Sequence, residues 1–125
     1  MRKNLSGQKI RVFAFDRTDN TPKTGNAANI TCKLAKDHGS RVALSDTNPT
    51  EAEDGFYLFD LTSSETDAYV LEFYPESSTA DVQVIAVPAT VYTTPTYFQD
   101  LSIGPGSGLV KAVDSSGNAL AKSTE

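Results

Sequence analysis

Tryptophan is absent from these 125 residues, and cysteine, histidine and methionine occur once each. With Cys32 alone, no disulfide can close within the chain, which excludes a secreted disulfide scaffold. With His38 alone, the designs that pair a serine or cysteine nucleophile with an imidazole base have one possible base, set in the turn Asp37-His38-Gly39-Ser40. One His and one Cys do not complete a tetrahedral zinc site without distant carboxylates. Long apolar runs are also missing: the longest centres on Ile85-Ala86-Val87, far short of a membrane span. The basic opening Met1-Arg2-Lys3 is followed by no stretch resembling a signal-peptide core, so the expectation is synthesis in a reducing cytoplasm.

Positive charge is scarce in a position-dependent way. Eleven Lys and Arg stand against sixteen Asp and Glu, for a net charge of −5 and a pI near 4.8. That balance argues against nucleic acid as a partner. Residues 1–41 hold nine basic and three acidic side chains, whereas 42–110 hold eleven acids and no Lys or Arg. Complementary charge of this kind sets orientation and encounter rate between proteins more than affinity. A basic N-terminal arm (Arg2, Lys3, with Lys9 and Arg11 behind it) is therefore expected to dock on an acidic surface of a neighbouring subunit. Neutralisation within one molecule is the competing expectation.

What the chain does contain is strand pattern. Period-2 alternation with β-branched and aromatic residues predicts strands over 8–15, 29–35, 41–45, 56–61, 69–74 and 82–87, with 91–93 as a seventh. The separators carry turn chemistry: Thr21-Pro22-Lys23-Thr24-Gly25-Asn26, Asn48-Pro49, Asp54-Gly55 and Glu76-Ser77-Ser78. Thr62-Ser63-Ser64-Glu65 has the spacing of a capping box and predicts one helical turn. Six or seven short strands at this spacing predict an all-β chain, an immunoglobulin-like β-sandwich with extended N- and C-terminal arms. The predicted division is a basic arm over 1–8, the sandwich over 9–95, and a linker with a C-terminal arm or small hairpin over 96–125. The linker reading rests on Gly104-Pro105-Gly106-Ser107-Gly108.

Several strands are apolar on both faces. Ile10, Val12 and Ala14 alternate with Phe13 and Phe15; Tyr57, Phe59 and Leu61 alternate with Phe56 and Leu58; Val84 alternates with Ile85 and Val87. A sandwich strand wetted on one side is polar on that side. Either bulges or central strands absorb the surplus, or the outer face meets a protein, since large apolar patches are seldom left wet.

Chemical constellations are few. Cys32 alternates with Ile30 and Leu34 as a small core residue does. Glu51, Glu53 and Asp54 crowd one loop, where two carboxylates cannot flank a sugar, and the spacing lacks the calcium-loop pattern. Tyr92, Tyr97 and Phe98 could serve a sugar-stacking surface, although the best stacking residue, tryptophan, is missing. They could equally form an anchoring strap. No catalytic residue, cofactor or metal is expected.

Three segments carry a resemblance: Met1-Arg2-Lys3-Asn4; Gly55-Phe56-Tyr57-Leu58-Phe59-Asp60-Leu61-Thr62 running on to Glu65-Thr66-Asp67-Ala68; and Val91-Tyr92-Thr93-Thr94-Pro95. Together they resemble a small immunoglobulin-like module that recurs in fibre, neck, tail and head-decoration proteins of tailed bacteriophages. The resemblance covers 1–95. It implies a non-enzymatic structural role in the virion as a homo-oligomer, with capsid, portal or adaptor, or tail proteins as partners and neither nucleic acid nor membrane bound. The opening tetrapeptide favours a fibre or neck component. The residues expected to meet partners are Arg2, Lys3, Lys9, Arg11, Phe13, Phe15, Tyr92, Tyr97 and Phe98.

Overall fold

The computed structural model describes residues 1–95; the expectations for 96–125, Tyr97 and Phe98 included, lie outside the described residues. Eight strands are present among the described residues: β1 (Gln8–Asp16), β2 (Ile30–Lys36), β3 (Arg41–Ala43), β4 (Thr50–Glu51), β5 (Phe56–Leu61), β6 (Val70–Ser77), β7 (Val82–Ala86) and β8 (Thr90–Tyr92). They form two four-stranded sheets of order β4-β5-β1-β7 and β3-β2-β6-β8, with antiparallel neighbours throughout. The chain is an all-β sandwich.

Alternation along the strands builds the core. Ile10, Val12 and Ala14 of β1 point inward with Tyr57, Phe59 and Leu61 of β5 and Val84 of β7, and meet Ile30, Cys32 and Leu34 of β2 and Leu71 and Phe73 of β6. Tyr57, Phe59, Ile30, Leu71 and Val12 are fully buried, each worth roughly 1.5–3 kcal/mol by removal of apolar surface from water. The Tyr57 hydroxyl reaches the sandwich end, donating to the Lys23 carbonyl at 2.7 Å and accepting the Asn26 N–H at 3.1 Å. It thereby ties the loop after β1 to the core.

The turn chemistry is realised locally. Thr62 and Glu65 form the reciprocal box: Glu65 Oε1 accepts the Thr62 N–H at 2.9 Å and Thr62 Oγ1 accepts the Glu65 N–H at 3.2 Å. The second Glu65 oxygen accepts the Ser45 N–H, pinning the segment after β3. Asp37 and His38 both adopt positive φ, and Asp37 Oδ1 accepts the N–H groups of Tyr69 and Val70. Gly55 sits at φ +86°, and a Cβ there would lie 2.8 Å from the Ala14 carbonyl oxygen. Its own carbonyl accepts the Ala14 N–H, so this close approach helps fix the β1–β5 register.

Beyond shifts of a residue or two at strand ends, three features differ from the sequence expectation. Strand β4 has two residues, too few to show a period. Strand β6 runs through the expected stop at Glu76-Ser77 because Pro75 costs it no ladder bond. Pro75 stands opposite Cys32, whose carbonyl faces β3, so the nitrogen of Pro75 points to the side that β8 pairs only over Val70–Glu72. The third difference concerns the expected arm over 1–8. Met1–Pro95 is one compact unit, and its first residues lie along the sandwich. Thr94 donates to the Met1 carbonyl, Lys3 donates to Thr94, and Asn4 donates to the Thr66 carbonyl. The Gln8 side chain closes the loop, accepting the Arg2 N–H and donating to the carbonyls of Arg2 and Leu5. Backbone hydrogen bonds to Thr94 and Thr66 hold the segment down, which a count of its positive charges could not reveal.

Candidate functional site

The two outer faces of the sandwich differ in chemistry. On the sheet β3-β2-β6-β8, the outward positions carry the polar Thr31, Lys33, Arg41, Glu72 and Glu76 together with Tyr74, Ala35 and Ala43, and with Val70 and Tyr92 at the β8 edge. Here Arg41 lies 4.8 Å over the Tyr74 ring and His38 Nδ1 lies 3.1 Å from Glu72. This is a solvated face of the ordinary kind.

On the sheet β4-β5-β1-β7, the register brings apolar residues from three strands together. Phe13 of β1 stands opposite Phe56 of β5 and Ile85 of β7, while Phe15 stands beside Pro22 of the following loop. Phe13 and Phe56 ring centroids are 4.9 Å apart, and Phe13 and Phe15 stack at 5.9 Å. Leu58, opposite Arg11, extends the patch; Ile85 is 46% exposed and Val87 43%. The Arg11 guanidinium lies 5.5 Å from the Phe56 centroid, so a cation borders one end of the aromatics. At the other end the turn before β5 carries Glu53 and Asp54, both exposed. Stacking among the rings shelters part of each, but no second layer of the described residues covers them.

Beside this face, β7 pairs with β1 only from Val12 onward. Past that point, a groove of about 400 Å³ opens, lined by Met1, Lys9, Ile10, Arg11, Pro88 and Val91 among others.

Two of the four basic residues expected to reach a neighbour, Lys3 and Lys9, pair with acids of their own chain. Lys3 bonds Asp67 at 2.9 Å and lies 5.1 Å over the Tyr69 ring; Lys9 is paired with Asp60, its cross-strand neighbour. The Asp67 bond raises the Lys3 ammonium above its ordinary value, and Lys3 in turn holds the Asp67 carboxyl below its own. Arg17 meets Asp81 at 3.8 Å. Sheet order explains this: β1, from the basic part of the sequence, lies between β5 and β7 from the acidic part. Segregation along the chain becomes pairing across strands. Arg2 enters the parallel bridge to Thr94, and Arg11 remains at the aromatic patch.

Phe13 and Phe15 thus come together with Arg11, while Arg2, Lys3 and Tyr92 lie elsewhere. Tyr92 is 71% exposed at the edge strand β8, opposite Val70 on the other sheet. Phe56, Leu58, Ile85, Pro22 and Asp54 belong to the patch and were not among the residues expected to meet partners. Their outward alternation is visible in the sequence; the register that unites them is not.

Cys32 is buried among core side chains, and burial pushes its thiol up to about 12. The Glu51 carboxylate accepts the Gly25 N–H. Among the described residues, no three His, Cys, Asp or Glu side chains gather into a metal-holding group, and no helix is long and apolar enough to cross a membrane. Comparisons with known protein families, curated proteins and solved structures find no match to the chain.

Proposed function

We propose that this chain is a structural module of a tailed-phage virion, a fibre, neck or head-decoration component that works by protein–protein contact and not by catalysis. The observation that carries the contact role is the contrast between the two outer faces: one interleaves tyrosines with charged side chains, the other gathers three phenylalanines in contact, with Leu58, Ile85 and Val87 around them. An apolar patch at the centre of a sheet, rimmed by charge, has the anatomy of a protein interface.

The strand order supports an immunoglobulin-like reading. With β1, β2, β4, β5, β6 and β8 taken as strands B, C, D, E, F and G, the sheets read D-E-B and C-F-G, with β3 added beside C. The departure is that β7, which falls between F and G in sequence, occupies the place of strand A. The virion assignment itself rests on the resemblance carried by 1–4, 55–68 and 91–95.

The test is the copy number of this chain in purified phage particles, read by quantitative mass spectrometry against the major capsid protein. A fixed stoichiometry supports the reading. Loss of the chain on particle purification, or specific glycan binding by the isolated monomer, overturns it in favour of a free carbohydrate-binding module.

A further inference from the structure

We infer that the aromatic face of the sheet β4-β5-β1-β7 pairs with the same face of a second copy of this chain, about a twofold axis running across the strands. The inference rests on the contact role proposed above and names its partner.

Two features select a second copy. The first is the patch itself: Phe13, Phe15, Phe56, Leu58 and Ile85 are contributed by three adjacent strands and have no covering layer among the described residues. The second is charge at its two ends. In the β1–β5 register, Arg11 lies opposite Leu58 and Phe13 opposite Phe56; the Ala14 N–H still bonds the Gly55 carbonyl, and beyond it Asp54 lies in the turn that precedes β5 while Pro22 stands beside Phe15. Arg11 therefore sits two residues to one side of the Phe13–Phe56 pair, roughly 7 Å along the strands, and the turn with Glu53 and Asp54 sits on the other side.

A twofold axis crossing the strands at that pair exchanges the two ends. Phenylalanines then face phenylalanines, and Arg11 of each copy comes toward the end at which the other carries Asp54. An isologous contact must be self-complementary, and a strip with a cation at one end and carboxylates at the other meets that condition only when the copies run head to tail. An axis along the strands would set Arg11 over Arg11.

The area limits the strength. Four strands at about 4.8 Å spacing and nine residues at about 3.3 Å rise give at most roughly 570 Å² a side, which belongs to weak association. The pairing is thus tuned to operate where copies are held close together.

The experiment is sedimentation velocity on the full chain from about 10 to 500 µM, a range matched to weak affinity. The variants are R11E, D54R and the double exchange R11E/D54R, with circular dichroism confirming the fold of each. The expected result is concentration-dependent dimer in the wild type, roughly tenfold weaker association in each single variant, and recovery to within about threefold in the double variant. Wild-type monomer throughout, or association that both single variants leave unchanged, overturns the pairing. So does a double variant as weak as the singles. If the chain is monomeric yet present at fixed copy number in particles, the pairing fails while the virion role stands; a dimer absent from particles shows the converse.

Discussion

Gly55→Ala measures how tightly strand β5 is set against β1, and its cost divides into two parts. The first is backbone conformation: Gly55 has φ +86°, a region that costs a residue with a Cβ roughly 1–2 kcal/mol. The second is space. The new Cβ would stand 2.8 Å from the Ala14 carbonyl oxygen, 3.0 Å from Pro22 Cβ and 3.1 Å from Phe13 Cε1. The nearest atom is backbone in a central strand and cannot swing aside, so β1 and β5 must part locally, at about 1–3 kcal/mol for overpacking of this kind. The sum is about 2–5 kcal/mol. Gly25→Ala separates the two parts, because Gly25 also has positive φ, +65°, but no atom within 4 Å of the added carbon. It should lose only the conformational part. Urea unfolding of both variants, followed by circular dichroism, should show Gly55→Ala less stable than Gly25→Ala by about 2 kcal/mol, or roughly 8–16 °C in melting temperature for a domain of this size. Equal losses in the two variants would refute the close approach as the cause.

Tyr57→Phe removes the hydroxyl that serves the Lys23 carbonyl and the Asn26 N–H, leaving both short of a partner, and should cost about 1–3 kcal/mol in the same assay. Cys32, with its thiol pushed up to about 12 by burial, should resist a disulfide reagent in the native state and react promptly in denaturant; fast native reaction, read by absorbance, would contradict the packing. Thr18, through its hydroxyl and N–H, holds the Asp16 carboxyl below its ordinary value, as Lys3 holds that of Asp67. Because these folded values are depressed, the stabilisation is present above the ordinary aspartate range and is lost as pH falls through the folded values. Urea midpoints should therefore drop between about pH 5 and pH 2, and Asp67→Asn should flatten part of that slope.

Alternation in the sequence was a sound guide to strands because each buried side chain competes for one face: Val12 and Phe59 point inward as their spacing requires. The capping box at Thr62 and Glu65 was legible for the same reason, since all its atoms lie within four residues. Pairings between distant segments were not. The meeting of Phe13 with Phe56 and Ile85 depends on β1 being central in its sheet, which no local pattern encodes. The first residues misled in the opposite direction. Their charges read as an exposed arm, but Thr94 and Thr66 lie within reach of their backbone and Asp67 within reach of Lys3.

Hydroxyl-radical footprinting of the aromatic face, in the isolated chain at low concentration and in intact particles, tests the docking role most directly. Phe13, Phe15 and Phe56 should be oxidised in the isolated chain and protected in particles, while Tyr74 on the opposite face changes little. Equal oxidation of the three phenylalanines in both states would contradict a buried contact there.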